Sequence, residues 1–93
     1  MPRLNYRGSP EIIWDEPKRA TNLENRGFDF AELDIEFFAA SVVLPTKIGR
    51  LKAIGEFRGT ILAVIFRPLG SEAISVISMR RASRKERAVY EQS

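Results

Sequence analysis

Residues 50–67 read RLKAIGEFRGTILAVIFR, two apolar-rich runs on either side of Arg58-Gly59, and this stretch decides the fold. Apolar side chains recur at every second position in the first run and are nearly continuous in the second, as in β-strands. The two residues between the runs suit a tight hairpin. Residues 72–80 (EAISVISMR) predict a third long strand, and residues 42–44 predict a short one. The pattern therefore indicates an antiparallel sheet of about four strands with TILAVIFR at its centre.

The two predicted turns fix a register between the three long strands. The hairpin places Phe57 opposite Thr60, and a turn at residues 68–71 places Arg67 opposite Glu72. In this register one row across the sheet contains Glu56, Ile61 and Ser78.

Alternation then sorts the side chains onto two faces. The face predicted to pack on the helices contains Leu51, Ala53, Phe57, Leu62, Val64, Phe66, Ile77 and Met79. The opposite face has an apolar centre of Ile54, Ile61, Ala63, Ile65, Ile74 and Val76, surrounded by Arg50, Lys52, Glu56, Arg67, Ser78 and Arg80. That second face suits bases and phosphates. The alternative is that the charged ring only solvates a second, partly covered face.

Cap signals predict a helix on each side of a short N-terminal loop. After a brief apolar strand at residues 11–14, Asp15 is the expected N-cap of a helix that runs to about Asn25, where Gly27 suits a left-handed end. Asp29 is the expected cap of a second helix. The apolar residues of this second helix fall at core-facing spacing: Phe30, Leu33, Phe37 and Phe38.

A third helix is predicted near the C-terminus, where Ser83 and Glu86 form a capping box and the helix runs through Tyr90. The predicted fold class is therefore α+β: two N-terminal helices packed on an antiparallel sheet of about four strands, with a C-terminal helix.

Composition limits the possible chemistry. The 93 residues form one predicted domain, 1–93, and contain neither cysteine nor histidine. This excludes disulfide frameworks, Cys/His zinc sites and nucleophilic triads with a histidine base. The acids do not converge in a metal-ligand pattern, so no metal or cofactor is expected. No apolar run is long enough to span a membrane, and we expect a cytoplasmic protein.

Charge is distributed unevenly along the chain. Residues 11–36 carry eight acids and three bases (net −5), residues 47–93 carry ten bases and four acids (net +6), and Arg3 and Arg7 add +2. Five of the eight residues in 80–87 are basic. Because a helix N-terminus disfavours positive charge, basic residues around the Ser83 cap predict a bound anion there. A polarised basic region of this kind favours nucleic acid as a partner. The alternative is that Glu86 and other acids already screen these charges.

An ordered set of residues along nearly the whole chain resembles one protein family. Its members here are Trp14-Asp15-x-x-Lys18-x-x-x-Asn22-Leu23, Gly27-Phe28-x-Phe30, Phe37-Phe38, Ile54-Gly55-x-x-Arg58-Gly59, Arg67, and Ile77-Ser78-x-Arg80-Arg81-Ala82-Ser83-x-x-Glu86-x-x-x-Tyr90. This set resembles the BrnT-type toxins. The resemblance implies a RelE-like fold and the toxin half of a type II toxin–antitoxin pair: a ribonuclease that inhibits translation and is neutralised by a BrnA-type antitoxin. It also implies that operator DNA is contacted indirectly, through the antitoxin complex.

The chain departs from the family at one position. Members usually carry Lys-His-Gly before the Phe-x-Phe element, whereas this chain has Asn25-Arg26-Gly27. If that histidine takes part in cleavage, proton transfer here must be handled differently.

Metal-independent cleavage of RNA defines the expected roles. The 2′-hydroxyl is an internal nucleophile, so the protein contributes chiefly by electrostatic stabilisation of the charge that develops on the phosphate. The candidate catalytic residues are Arg80 and Arg67 on the phosphate, Glu56 as the base and Tyr90 as a proton donor or stacking partner. The candidate RNA-binding residues are Arg81, Ser78, Ser83, Arg84, Lys52, Arg50, Lys18 and Trp14. The predicted register separates Arg67 from Arg80 by roughly 20 Å, so Arg80 is favoured at the centre.

Two other classes of function stay open. The basic surface could bind RNA or DNA without cutting it, through counterion release. The exposed sheet and the acidic first half could instead serve only to hold an antitoxin.

Overall fold

A five-stranded sheet forms the centre of the computed structural model, which describes residues 10–93; Arg3 and Arg7 lie outside the described residues. The strands are β1 (Glu11–Trp14), β2 (Val42–Pro45), β3 (Leu51–Phe57), β4 (Thr60–Leu69) and β5 (Ala73–Arg81), and their order is β1-β5-β4-β3-β2. The helices are α1 (Glu16–Arg26), α2 (Ile35–Ala40) and α3 (Arg84–Glu91), with a 3₁₀ helix at Phe30–Glu32. The α+β class is confirmed. The count of about four strands was wrong, because β1 joins the sheet in parallel beside β5.

The first helix has the predicted ends. The Asp15 side chain accepts the backbone N–H of Lys18, and Gly27 takes the left-handed conformation (φ 79°) with its N–H donating to the Leu23 carbonyl. Helix α1 follows the edge strand β1 directly and packs against β5.

The predicted second helix is divided in two. Asp29 accepts the N–H of Ala31 and starts the 3₁₀ helix, but Asp34 then accepts the N–H of Phe37 and starts α2. Between them Leu33 is extended, at φ −74° and ψ 146°. A second capping aspartate therefore restarts the helix, although the apolar side chains expected in the core are all buried: Phe30, Leu33, Phe37 and Phe38.

The β3–β4 hairpin has the predicted register, with Phe57 opposite Thr60. Arg58 and Gly59 both have positive φ (52° and 84°), as a two-residue turn that follows the strand twist requires. Because Arg58 is not glycine, it adopts this conformation at some cost in backbone strain.

The β4–β5 register was predicted wrongly. Strand β4 continues through Pro68 to Leu69, and the turn is made around Gly70, so Arg67 faces Ser75 and not Glu72. A β-bulge at Ile77 adds one more residue to β5. The consequence is that Ser78 faces Ile65 and lies outside the row of Glu56 and Ile61.

The bulge also exchanges residues between the two faces. Ile74 and Val76 lie in the core, whereas Ile77 leaves it, because one extra residue reverses the alternation along the strand. The remaining sheet positions of the core are as predicted: Ala53, Leu62, Val64, Phe66 and Met79 are buried, with Leu51 and Phe57 packed against them.

The opposite face of the sheet is half covered by α3. Ile54 and Ala63 alternate with the core residues and are nevertheless fully buried, and α3 packs on β3 above them. Lys52, Ile65 and Ser78, in the neighbouring row, stay partly exposed. This partly open half of the face carries the candidate site. Among the described helices, none is long and apolar enough to cross a membrane.

Candidate functional site

A cleft of about 420 Å³ lies between α1 and the exposed edge of β5. It is lined by Pro17, Lys18, Thr21, Asn22, Asn25, Arg26, Ile77 and Ser78. Lys18, Asn25 and Arg26 reach it together because they are spaced i, i+7 and i+8 and so share one side of α1. Within residues 10–93, neither Lys18 nor Arg26 forms a salt bridge. The cleft therefore presents two cations whose charge is not neutralised by a described acid.

Asn22 holds α1 against this edge. Strand β1 ends at Trp14, opposite Val76, so the backbone of β5 beyond that point has no neighbouring strand on this side. The Asn22 side-chain amide donates to the Met79 carbonyl at 2.9 Å and its oxygen accepts the Met79 N–H at 3.1 Å. It also donates to the Phe28 carbonyl at 3.1 Å. One buried side chain thus replaces a strand and sets the width of the cleft.

A cluster of charges lies on the other side of Ser78, under the start of α3. Arg80 donates to both Glu86 oxygens, from Nη1 at 2.7 Å and from Nη2 at 2.9 Å, and Lys52 donates from Nζ to Oε2 at 2.7 Å. The Ser83 backbone N–H donates to Oε1 at 2.8 Å and completes the predicted capping box. The hydrogen bonds from Arg80, more than those from Lys52 and Ser83, hold the pKa of Glu86 far below its usual range. Two cations and one anion leave the cluster with a net charge of +1.

Two exposed rows of the sheet connect the cleft to a second cleft. Ser78, Ile65 and Lys52 form the first row, and Ser75 and Arg67 lie in the next non-core row. Arg67 and Arg50 line the second cleft, of about 540 Å³, together with Lys47 in the β2–β3 loop. We call this continuous area the basic surface; it comprises Lys18, Arg26, Ser78, Arg80, Lys52, Arg67, Arg50 and Lys47.

The structure separates Arg67 from Arg80 less than predicted. Arg80 faces Ala63, four residues from Arg67 along β4, a distance of about 13 Å at 3.3 Å per residue. This separation along the strand replaces the roughly 20 Å that the wrongly predicted register gave. At this backbone separation the two arginines can bind neighbouring phosphates of one strand.

Glu56 lies opposite Ile61 as predicted, but Ser78 is not in this row. Glu56 is four residues from Lys52 along β3 and lines a cleft with the acids Glu32, Asp34 and Glu36. Its predicted role as the base depended on a position beside Ser78, and the observed strand pairing does not provide that position.

Arg81 also lies apart from the basic surface. It projects to the opposite face of β5, with its guanidinium 5.9 Å from the centre of the Phe28 ring.

The remaining predicted residues lie at the margins. Trp14 packs against the core and its indole N–H donates to Glu16 at 2.6 Å. Ser83 Oγ accepts the Glu86 N–H, so its hydroxyl oxygen serves the helix cap. Arg84 is exposed in the first turn of α3, and Tyr90 is half-buried near its end. Of the predicted set, the structure therefore brings together Lys18, Ser78, Arg80, Lys52, Arg50 and Arg67.

Some members of the site were missed in the sequence. Arg26 was named in the sequence only because the resemblance implies a histidine at its position, although its i+8 spacing from Lys18 already places both on one face of a helix. The position of Ser75 opposite Arg67 depends on the β4–β5 turn, and the bonds of Glu86 to Arg80 and Lys52 depend on the packing of α3; the sequence carries no local signal for either. No group of three or more acids that could hold a metal occurs among the described residues.

Comparisons with known proteins agree on one family. The family described as "Ribonuclease toxin, BrnT, of type II toxin-antitoxin system" matches residues 14–86. The crystal structure of the Brucella abortus ribonuclease toxin BrnT is 62% identical, covers 82% of this chain and 100% of its own, and superposes with a TM-score of 0.77. The comparison with curated proteins gave no match.

Proposed function

The chain belongs to the BrnT family of ribonuclease toxins of type II toxin–antitoxin systems, and from this premise we propose that it is a metal-independent endoribonuclease of the cytoplasm that inhibits translation. A BrnA-type antitoxin neutralises it, and operator DNA is contacted through the complex with that antitoxin. The observation that carries the proposal is the basic surface. It joins two clefts across three strands and contains six of the residues that the sequence singled out.

The basic surface suits a single RNA strand. Its cations can follow successive phosphates, and the partly exposed Ile65 and the serine hydroxyls lie between them, where bases and ribose can make contact. We place the scissile phosphate beside Ser78, where Lys18 and Arg26 approach from α1 and Arg80 from the same strand. Arg67 and Arg50 then bind a flanking part of the strand.

Cleavage in this site needs no covalent intermediate with the protein. The RNA 2′-hydroxyl gives up its proton to solvent water, its oxygen attacks phosphorus and the 5′-oxygen leaves, which gives a 2′,3′-cyclic phosphate and a 5′-hydroxyl. Arg80 and Arg26 stabilise the charge that develops on the phosphorane. The Lys18 ammonium donates a proton to the leaving oxygen. Of the two roles predicted for Tyr90, we assign it the stacking on a base. With Arg26 in the place of the family histidine, the reaction depends mainly on electrostatic stabilisation.

One observation favours a second candidate function. Arginine remains charged at neutral pH and does not exchange protons there as histidine does, and the Arg80 guanidinium is already paired with Glu86. A protein with this surface could bind RNA, or an antitoxin, without cutting.

Incubation of the purified protein with end-labelled RNA in EDTA distinguishes these functions. We expect products with cyclic-phosphate ends, and a rate reduced about 10²-fold in Lys18→Ala, in which a donor at the reacting phosphate is lost. Lys18 is a better test than Arg80, because it has no described acidic partner that its removal would leave unpaired.

Lys85→Ala is the matched control, since Lys85 is an exposed lysine on α3 outside the basic surface. We expect it to cleave like the wild type. Salt-sensitive RNA binding without cleavage would instead support the binding module, and absence of RNA affinity would leave the antitoxin-binding module.

A further inference from the structure

We propose that Glu86 is a positioning residue for this ribonuclease reaction: its carboxylate holds the side chains of Arg80 and Lys52 in fixed places on the basic surface. This inference rests on the proposed function and assigns no contact between Glu86 and RNA. Glu86 acts through the two cations that it orients.

The hydrogen bonds of Glu86 support this role. Its two oxygens accept four hydrogen bonds, one from Ser83 N–H, two from Arg80 and one from Lys52, at 2.7 to 2.9 Å. A carboxylate offers about four acceptor positions, so none is left to take a proton from a substrate. The bonds connect β3, β5 and α3 at one point, next to the row that contains Ser78.

Helix capping alone does not explain this arrangement. A capping box needs only the bond from the acid to the Ser83 N–H, and glutamine serves there as well as glutamate. The bonds to Arg80 and Lys52 are additional. Glu86 is 8% exposed, and buried ion pairs are often no more stabilising than apolar residues of the same shape. Orientation of two cations at an RNA surface accounts for the bonds to Arg80 and Lys52, which helix capping does not require.

Glu86 also tunes the strength of RNA binding. Both cations keep partly exposed side chains, 30% for Arg80 and 23% for Lys52, and one negative charge offsets one of their two positive charges. If the carboxylate becomes a neutral amide, the basic surface gains one net positive charge, while Arg80 and Lys52 lose their fixed positions. Binding and cleavage should therefore change in opposite directions.

Glu86→Gln tests this inference because it keeps the capping box. We expect kcat for RNA cleavage to fall by about 10- to 100-fold, since displacement of a positioned group by about 1 Å is enough for such a loss. Binding of an uncleavable 2′-deoxy strand should tighten, and the slope of its log affinity against log salt should steepen by about 0.7 for the added charge. The added charge steepens the slope whatever role Glu86 has, whereas a role in folding alone would not lower kcat in a folded variant that binds the strand more tightly.

Glu91→Gln is the matched control, with the same change of charge on the exposed end of α3. It should leave kcat unchanged. Circular dichroism and urea unfolding establish that each variant is folded. An unchanged kcat in folded Glu86→Gln, or an equal loss in Glu91→Gln, overturns the positioning role.

Failure of the proposed function looks different. If the wild type binds RNA but never cuts it, the ribonuclease proposal fails, while positioning is still tested by the side-chain Nη–H signals of Arg80 in NMR, since Nη1 and Nη2 donate to Glu86. One of these protons, followed in both proteins, should be slow to exchange in the wild type and fast in Glu86→Gln with the uncleavable strand bound. Equal exchange in both proteins overturns the inference.

Discussion

At the scale of single residues, Asn22 contributes more to the site than its polarity suggests. It is buried in α1, yet all its hydrogen bonds go to backbone groups outside that helix, two of them on Met79, 57 positions along the chain. The amide completes the β-ladder where β1 has ended. Because α1 carries Lys18 and Arg26, the geometry of the cleft depends on this one side chain.

Asn22→Ala should lower the free energy of unfolding by about 1–3 kcal/mol, because the Met79 N–H is left buried without an acceptor. Urea unfolding measures the loss. Asn25→Ala, which removes an exposed asparagine from the same helix, is the control and should change stability by less than about 0.5 kcal/mol. Equal stability of the two variants would show that the amide does not hold the β5 edge.

The residues of the site were predictable to different degrees. Lys18 and Ser78 could be named as candidates because their chemistry and their positions in a motif are visible in the sequence, and both line the cleft beside α1. The burial of Asn22 and the engagement of Glu86 by two cations were not visible, since each depends on an element distant in sequence. The failure with Glu56 came from strand pairing and not from its chemistry.

At the scale of elements, α2 approaches the sheet closely over Gly55. A Cβ atom at this position would lie 2.5 Å from Ser41 Oγ and 3.2 Å from Phe37 Cε1. The Ser41 hydroxyl also donates to the Phe37 carbonyl at 2.6 Å, which restrains it from moving aside. Glycine is therefore required for α2 to pack on β3 at this distance.

Gly55→Ala should destabilise the protein by about 1–3 kcal/mol through overpacking. The double variant Gly55→Ala/Ser41→Ala should recover part of that loss, since it removes the nearest atom. A double-mutant cycle in urea measures the coupling between the two positions. Strictly additive effects would mean that the helix adjusts without contact between them.

Element prediction succeeded where the signals are local. The Arg58-Gly59 turn and the Ser83 capping box each depend on a few adjacent residues, and both are as predicted. The β4–β5 pairing was predicted wrongly because Pro68, which favours the end of a strand, lies inside β4, and because the alternation was continued across the bulge at Ile77, where it reverses. That error of register, together with the bulge, moved every inferred neighbour on β5.

At the scale of the whole molecule, ion pairs connect different elements of the fold. Arg58 of the β3–β4 hairpin pairs with Glu32 at 3.1 Å, and Arg19 of α1 pairs with Asp29 at 2.7 Å. The basic surface lies apart from the acids near α2, which line a separate cleft. This polarity favours fast, salt-sensitive association with RNA.

Acid should destabilise the folded protein through two carboxylates in particular. Hydrogen bonds from Arg80 lower the pKa of Glu86, and hydrogen bonds from Arg19 lower the pKa of Asp29, whereas in the unfolded chain both groups titrate near their ordinary values of about 4. A depressed pKa in the folded state contributes stability above the unfolded pKa, and this contribution is lost as pH falls towards the folded pKa. The free energy of unfolding should therefore be constant from pH 7 to about 5 and then decrease steadily below about pH 4.

Urea unfolding at pH 7, 5, 4 and 3 measures this pH dependence. Glu86→Gln should show a shallower decrease than Glu91→Gln, because it lacks the carboxylate whose pKa is lowered most. Parallel curves for the two variants would mean that the ion pairs of Glu86 with Arg80 and Lys52 do not persist in solution, which would also remove the basis for its positioning role.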